Sequence, residues 1–433
     1  MKLLLLISVG LFLSYSFVGA NSPFIKEIYQ WSQVRYENYL LFNAQEYIGK
    51  YPYYIPENNA LMGLSHHAAS GLTIVTVPRV RPGIPSTLNA FCISDYKQGK
   101  SPYLWSFPYY ERNAIKPIFY EFFNQNVAEN FSIISVFSPS IHRSCDRFYA
   151  VDTGVLEYGP KGYYQVQKPA ILVYQLAADS CKTRSFPLIR RVEIPDTVYN
   201  NPTGFMHMSV DEVSGGTCDD VMISLANSFD NSIVMFEYAT GQFWNATDPR
   251  MAPIQALSKV KLQGEYYNFP LGISVTNQAD ADSDGNAEVY YTSTASFGMY
   301  SISTRYLWDF ATVYNTSLST VYGDRGCYSQ SYFQNLNSAT NVMFIQQMNA
   351  NEVRCWNINK LLSVDTVGLI FKGHNDSLVT DIASDADGYM YIITSPFFIN
   401  YVTKKTVNIN NVNTRIYRAK YTDVIRGTVC ESP

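Results

Sequence analysis

Short apolar runs separated by polar turns recur along the whole chain. The stretch "LVTDIASDADGYMYIITSP", from Leu378 to Pro396, shows the unit: an apolar run, an Asp-Gly turn, and a second apolar run that ends on small hydroxyl residues. Runs of this kind, bounded by Gly, Asp and Asn, are typical of strands in antiparallel hairpins. Similar units begin at Gly63, Ile133, His207, Gly272 and Asp381, and a weaker one begins at Ser338.

The units recur at nearly regular intervals. The starts of the clear copies are 70, 74, 65 and 109 residues apart, and the weaker copy lies in the longest gap. A second pair of apolar strands follows several hairpins, as in "AILVYQLAAD" and "LIRRVEIP". Four strands per unit, repeated radially, are typical of a propeller. The pattern predicts an all-β fold, a six-bladed β-propeller with four-stranded blades; a pair of unrelated β-sandwiches is the alternative.

The first residues have the pattern of a secretory signal. Lys2 precedes an apolar core from Leu3 to about Phe17, and "SFVGA" places small residues before a cleavage point after Ala20. No later segment has 18 uninterrupted apolar residues. We therefore expect a signal peptide over residues 1–20, one propeller domain over residues 21–433, and a secreted, extracellular protein that does not enter a membrane.

Composition and charge support this interpretation. The chain has 35 Tyr and 25 Phe but only 16% charged residues, which fits a protein made mostly of sheet. Removal of the signal, which contains one lysine, leaves 31 basic and 36 acidic residues, so nothing favours binding to nucleic acid. Four Asn-X-Ser/Thr sequons predict glycosylation of a secreted chain. They begin at Asn130, Asn245, Asn315 and Asn375.

The cysteine count indicates an oxidising compartment. Seven cysteines allow three disulfides and leave at least one thiol free or available to a partner molecule. None lies in a Cys-X-X-Cys pattern, so a zinc site is not expected. Their spacing does not determine which cysteines pair. They are Cys92, Cys145, Cys181, Cys218, Cys327, Cys355 and Cys430.

Candidate chemical groups are few. "DADSDGNAE", from Asp280 to Glu288, alternates carboxylates as a calcium loop does, but an EF-hand would need Glu where Tyr291 stands, so we interpret it as a turn. The adjacent His66 and His67 should point to opposite faces of a strand and so not share one pocket. His207 is the better candidate for an acid or base that faces a channel, although a structural role is the simpler interpretation. No sequence motif indicates a cofactor or a bound metal.

Several blocks resemble the insect yellow and major royal jelly protein family, and the yellow branch in particular. The resemblance implies a secreted six-bladed propeller whose channel opens into a ligand pocket in some members. It also implies two disulfides, Cys145 with Cys218 and Cys355 with Cys430, and leaves the other three cysteines as extras. The blocks are "YIPENN" from Tyr54, "TVPRVRPGIPSTLN" from Thr76, "CDRFYAVDTGVLEYG" from Cys145, "PAILVYQL" from Pro169, "VRCWN" from Val353 and "TDIASDADGYMYIITS" from Thr380.

The same resemblance implies a ligand site. Family members that bind biogenic amines use a Thr, an Asn and a Phe, which correspond here to Thr380, Ser395 and Phe397. A hydroxyl can accept a hydrogen bond from an ammonium group, and a ring face adds roughly 0.5–2 kcal/mol of cation–π attraction. Ser395 lacks the amide of Asn, and Pro396 stiffens the loop. The alternative is that these residues only complete a blade. Asp152 ends a corresponding repeat and either attracts a cation near the channel or caps a turn.

These observations predict a secreted yellow-family protein that binds a small aromatic amine or catechol-derived ligand in the propeller channel and acts in pigmentation, cuticle or a related extracellular process. One alternative is an enzyme that converts dopachrome in melanin synthesis, an isomerase-type reaction for which His207 and Asp152 are weak candidate bases. Another is a structural matrix protein in which tyrosines are cross-linked. We expect a monomer.

Overall fold

The computed structural model describes residues 21–37, 47–48, 51–115, 131–142, 144–158, 162–213, 216–269, 271–278, 286–309 and 319–431. The predicted signal peptide, the sequons at Asn130 and Asn315, and the aspartates of "DADSDG" lie outside the described residues.

The strands follow one another along the chain in groups of four. A first strand, β1 (Lys26–Trp31), and a short pair, β2 (Tyr47–Ile48) and β3 (Tyr51–Pro52), precede the first group. Blade 1 contains β4 (Leu64–His67), β5 (Leu72–Thr76), β6 (Leu88–Cys92) and β7 (Trp105–Ser106), followed by helix α1 (Tyr110–Asn113). Blade 2 contains β8 (Val136–His142), β9 (Arg147–Asp152), β12 (Ala170–Gln175) and β13 (Leu188–Glu193), with the short pair β10 (Val155–Leu156) and β11 (Tyr164–Gln165) and helix α2 (Ser180–Thr183) between them.

The remaining blades have the same arrangement. Blade 3 contains β14 (Phe205–Glu212), β15 (Val221–Asn227), β16 (Ser232–Glu237) and β17 (Phe243–Thr247), and the pair β18 (Lys259–Leu262) and β19 (Glu265–Asn268) follows it. Blade 4 contains β20 (Ile273–Gln278), β21 (Glu288–Ser293), β22 (Gly298–Ser303) and β23 (Ser319–Asp324), with helix α3 (Thr304–Leu307) after β22. Blade 5 contains β24 (Gln334–Asn337), β25 (Val342–Gln347), β26 (Glu352–Asn357) and β27 (Val367–Lys372). Blade 6 contains β28 (Leu378–Ser384), β29 (Tyr389–Ser395) and β30 (Thr414–Lys420), with helices α4 (Phe397–Thr403) and α5 (Tyr421–Ile425).

These strands form six four-stranded antiparallel sheets arranged as a six-bladed β-propeller, which confirms the predicted fold. The innermost strand of each blade is its first strand in blades 1 to 5 and β28 in blade 6. Each innermost strand contacts those of the two neighbouring blades, and β28 contacts β4, so the ring is closed. No helix in the described part of the chain is long and apolar enough to cross a membrane.

Closure of the ring uses strands from both parts of the chain. β1 pairs with β30 and supplies the outermost strand of blade 6. Between the innermost strands of the same seam, Asp381 Oδ2 accepts a hydrogen bond from the backbone N–H of Leu64 at 2.8 Å. The pairing of β1 with β30 at the rim and the hydrogen bond of Asp381 near the axis therefore both close the ring.

Blade packing explains why the repeats read as apolar runs. Each sheet is covered on both faces by its neighbours, so whole strands such as β5 and β15 are buried from end to end. A strand buried on both faces needs apolar residues at successive positions and does not show the alternation of a half-exposed strand.

Three disulfides connect segments distant in the chain. Cys145–Cys218 and Cys355–Cys430 are the two pairs that the family resemblance implies. Cys92 pairs with Cys181, across 89 residues, and joins blade 1 to blade 2. Cys327 is exposed and has no disulfide partner, although all seven cysteines lie within the described residues. Three disulfides are consistent with an extracellular location.

A buried guanidinium organises the loops beside blade 1. Arg79 is only 1% exposed, and it lies in the block "TVPRVRPGIPSTLN". Its N–H groups donate to five backbone carbonyls from three segments of the chain. Because these carbonyls accept from all sides of the guanidinium group, no carboxylate partner is needed. The acceptors are Ile84, Pro85, Asn113, Ile133 and Ile134.

Candidate functional site

The starts of the six innermost strands converge on one hydrophobic cluster. One residue at or just before each of these strands belongs to it, so the same end of every blade meets at the axis. The cluster closes around α4, and we call this end of the channel the α4 end. The six residues are Met62, Phe137, Met206, Leu271, Phe333 and Leu378.

Helix α4 brings aromatic rings to this end. Pro396 precedes it, Ser395 Oγ accepts the backbone N–H of Phe397 at 3.0 Å, and Lys404 ends the helix in the left-handed conformation. The ring of Phe397 stacks on that of Tyr401, with centroids 5.9 Å apart and planes 12° apart. Phe398 packs between Tyr332, at 5.6 Å, and Phe333, at 5.8 Å. The result is an aromatic wall around the channel end.

Thr380 contributes a hydroxyl near the start of β28, the strand that α4 contacts. It lies on β28, at a register shift between Val379 and Asp381, two residues from the cluster member Leu378. Its side chain is 0% exposed, and Oγ1 has no hydrogen-bond partner among the described residues. A buried hydroxyl without a partner costs free energy, so such groups are exceptional in folded proteins and call for an explanation.

The hydroxyl of Ser395, the second predicted ligand residue, already forms hydrogen bonds within the protein. Its hydroxyl donates to the carbonyl of Leu61 and accepts from the backbone of Phe397. Both bonds fix the start of α4. The structure therefore brings Thr380, Ser395 and Phe397 to one end of the channel, with a free hydroxyl on the first and a bonded one on the second.

A carboxylate that the sequence did not single out lies at the same end. Glu157 follows β10 in the loop of blade 2, and its Oε2 accepts a hydrogen bond from the hydroxyl of Tyr401 at 2.9 Å. The residue is partly exposed, but Oε1 is buried and has no partner in the described part of the chain. Burial raises the pKa of Glu157 to about 7, although the Tyr401 bond and the charge of Lys404 act in the opposite direction.

Both candidate bases named from the sequence, His207 and Asp152, are buried. Burial lowers the pKa of His207 to about 4, and its ring packs edge-on against Phe333 with centroids 5.6 Å apart. Asp152 is fully buried, and its carboxylate accepts four hydrogen bonds, three of them from backbone N–H groups of Ile134, Ser135 and Gly154 and one from Gln167. Of the two interpretations of Asp152, the turn cap fits these bonds.

His66, His67 and His142 lie away from the α4 end. At the opposite ends of their strands, His67 Nε2 is 2.9 Å from Asp146 Oδ1 and His142 Nε2 is 3.2 Å from Glu212 Oε1. The ring of His66 packs against Tyr391 of blade 6, with centroids 5.0 Å apart, whereas His67 contacts Asp146 of blade 2, so the two side chains point to opposite faces of β4 as predicted. Both residues border a cleft of about 240 Å³.

Two sequons lie in described residues. Asn375 is exposed in the loop before β28, in a position open to modification. Asn245 is only partly exposed, and it lies within the outermost strand of blade 3.

The fold and the site define a six-bladed propeller with a cluster of aromatic and polar side chains at one end of its axis. The family model for major royal jelly proteins matches residues 134–430, and the chain belongs to this family, which includes the yellow proteins. Relatives include the yellow-related salivary protein ASP2 of Phlebotomus orientalis, 28% identical over 96% of this chain and 97% of that one. The L-dopachrome tautomerase yellow-f of Drosophila melanogaster is 25% identical over 93% of this chain and 89% of that one.

Solved structures add a weaker likeness. A protein of unknown function from Bacteroides thetaiotaomicron superposes with a TM-score of 0.45 at 9% identity and covers 91% of this chain and 75% of its own.

Proposed function

We propose that this yellow-family protein binds a small aromatic amine, or a related catechol-derived molecule, at the α4 end of its channel. The observation that carries the proposal is the buried Thr380 hydroxyl, which has no hydrogen-bond partner among the described residues. A ligand that donates to this oxygen would satisfy it. An ammonium group is such a donor.

The aromatic side chains of α4 suit the aromatic part of the ligand. Phe397, Phe398 and Tyr401 supply ring faces and edges, and burial of a ligand ring among them would add stacking contacts of about 0.5–1.5 kcal/mol each beyond area burial. A cationic group close to these faces would gain further attraction. The bonded hydroxyl of Ser395 would stiffen the wall and would not contact the ligand as an amide would.

Calorimetric titration with serotonin and dopamine tests the proposal. We expect heat of binding and a rise in the melting temperature with ligand concentration, since a ligand that binds only the folded state stabilises it. The absence of both binding heat and a thermal shift at millimolar ligand would contradict the proposal. The same protein preparation must show cooperative melting for the result to count.

We also infer that the protein is a secreted glycoprotein with a role in pigmentation, cuticle or a related extracellular process. The signal-like start, the disulfides and the exposed sequon at Asn375 support the inference. Digestion of the secreted protein with an N-glycosidase, followed by mass measurement, tests it directly. An unchanged mass would contradict glycosylation.

A second candidate function is conversion of dopachrome. It is favoured by the 25% identity to a protein named L-dopachrome tautomerase and by a carboxyl group, Glu157, whose pKa of about 7 suits a base at neutral pH. The reaction needs a base that removes the proton from the α-carbon, while a proton returns to the quinone oxygen. Loss of dopachrome absorbance distinguishes the functions, because a binder depletes at most one equivalent and an enzyme turns over.

A further inference from the structure

The loop that follows β10 holds Glu157 in a defined position. The backbone N–H of Glu157 donates to the carbonyl of Arg79 at 3.1 Å, and Arg79 is itself anchored by five hydrogen bonds. The side chain then reaches Tyr401 on α4, 244 residues further along the chain. Blade 2 and blade 6 are thus joined across the α4 end of the channel through this carboxylate.

The carboxylate of Glu157 has few hydrogen-bond donors for a group in its position. Asp152, five residues earlier, shows how the protein satisfies a buried carboxylate: four N–H groups donate to it. Glu157 receives one hydrogen bond, from Tyr401, and its buried Oε1 receives none from the described residues. An ionised carboxylate accepts several hydrogen bonds, so the second oxygen is left with capacity for a donor.

Among the described residues, the other charged and titratable groups that act on Glu157 come from two further elements. Lys404, just after α4, has Nζ 4.8 Å from the ring centroid of Tyr401, and its charge favours the ionised form of Glu157. Tyr332, before β24, bonds through its hydroxyl to Ser228 and has its pKa raised by burial and by the charge of Glu157. Tyr332 and Tyr401 are neutral at physiological pH. Lys404 is therefore the one cation among these neighbours, and it forms no hydrogen bond with Glu157.

We propose that Glu157 is the counter-charge of the ligand: its free Oε1 receives the ammonium group while the rings of Phe397 and Tyr401 hold the aromatic part. This inference rests on the proposed function and specifies its ligand class as cationic aromatic amines in preference to neutral analogues. Thr380, on β28, would then contact the ligand from the blade 6 side of the channel end.

A dependence of affinity on pH follows from this role. Below pH 7 Glu157 holds a proton, which a cationic ligand must displace before the ion pair forms. For one group with a pKa of about 7, the affinity should fall about tenfold between pH 8 and pH 6. A neutral ligand of the same shape displaces no proton and should bind with nearly constant affinity over this range.

Serotonin and 5-hydroxytryptophol form the matched pair for the test, since they share the ring and differ in the terminal amine or hydroxyl. Calorimetric titrations at pH 6, 7 and 8 use the full-length wild-type protein and the variants Glu157→Gln, Tyr401→Phe and Glu212→Gln. Glu212 is a carboxylate at the opposite end of its innermost strand, so its variant controls for loss of negative charge.

We expect Glu157→Gln to lower the affinity for serotonin at pH 8 by at least about tenfold and to abolish its pH dependence. The affinity for 5-hydroxytryptophol should change by less than about twofold. Tyr401→Phe removes the donor to Oε2 but keeps the ring, so the midpoint of the pH dependence should move to higher pH. Glu212→Gln should behave like the wild type.

The outcomes separate the two proposals. If serotonin binds the wild type but Glu157→Gln binds it equally well, or loses both ligands to the same extent, Glu157 is not the counter-charge although the binding proposal stands. If neither ligand binds the folded wild type, the binding proposal fails and this inference fails with it. If Glu157→Gln does not fold, an unshifted midpoint in Tyr401→Phe overturns the inference.

Discussion

The carboxylate of Asp381 accepts the backbone N–H of Leu64 at 2.8 Å and so connects the innermost strands of the last and first blades. Its other oxygen accepts the N–H of the next residue, Ile382, at 2.8 Å. Burial nevertheless outweighs these two bonds and raises the pKa of Asp381 from 3.8 to about 7. The seam of the ring therefore contains a group that titrates in the range where secreted proteins function.

Stability should fall as this group ionises. Because its folded pKa exceeds its unfolded pKa, the native state binds its proton more tightly, and this stabilisation is full below about pH 4 and is lost as the pH rises to about 7. We expect the melting temperature of the wild type relative to Asp381→Asn to decline from pH 4 to pH 8 in thermal scans. A difference that stays constant with pH would contradict the assignment of this pKa.

Arg79 should be far more sensitive to substitution than its neighbour Arg81. Arg79→Lys keeps the charge but cannot reach five carbonyls, so we expect a loss of about 3–5 kcal/mol in the free energy of unfolding, or failure to accumulate as folded protein. Among the described residues, the Arg81 side chain makes one hydrogen bond, to the carbonyl of Asn400, and Arg81→Lys should cost less than about 1 kcal/mol. Denaturant titrations of both variants test the contrast, and equal losses would contradict it.

The disulfide that the family resemblance did not imply should stabilise the fold. Replacement of both Cys92 and Cys181 by Ser opens a loop of 89 residues and should cost about 2–5 kcal/mol. The matched control is Cys327→Ser, which removes an exposed thiol and should leave the melting temperature unchanged.

Thiol titration gives an independent check of the same pairing. Native wild-type protein should react as one thiol per chain and Cys327→Ser as none. More than one reactive thiol in oxidised protein would show that one of the three pairs is absent.

Thr380 should affect binding without supporting the fold. Thr380→Val keeps the shape and removes a buried hydroxyl that has no partner among the described residues, so stability should be equal or higher. Serotonin affinity should fall by about fivefold to tenfold, equivalent to the loss of one hydrogen bond. Thr394→Val, a buried position on the adjacent strand β29, serves as the control and should leave affinity unchanged. Equal effects of the two variants would place Thr380 outside the site.

The fold could be predicted because blade formation is local. Each hairpin and its turn lie within about twenty residues, so apolar runs and Asp-Gly turns reveal the repeat directly. Closure could not be predicted in the same way. The pairing of β1 with β30 joins residues such as Trp31 and Thr414 that are almost a full chain length apart, and no local pattern specifies that partner.

Only part of the candidate site could be predicted from the sequence. Thr380 and Phe397 were assigned by resemblance, and the structure places both at the α4 end. Glu157 lies inside the quoted block "CDRFYAVDTGVLEYG", yet its partner Tyr401 is 244 residues away, so neither its burial nor its unpaired oxygen is visible in the sequence. A Glu beside Tyr in a loop looks like an ordinary exposed residue until the fold brings α4 above it.

The position of β1 has a practical consequence for measuring binding. This strand is the rim of blade 6, as far from the axis as any strand of that sheet. A biotin acceptor peptide fused ahead of Lys26 would emerge at the periphery, so a sensor chip could hold the protein by its edge. Both ends of the propeller would then face the flowing analyte, and residence times could be recorded without obstruction by the tether.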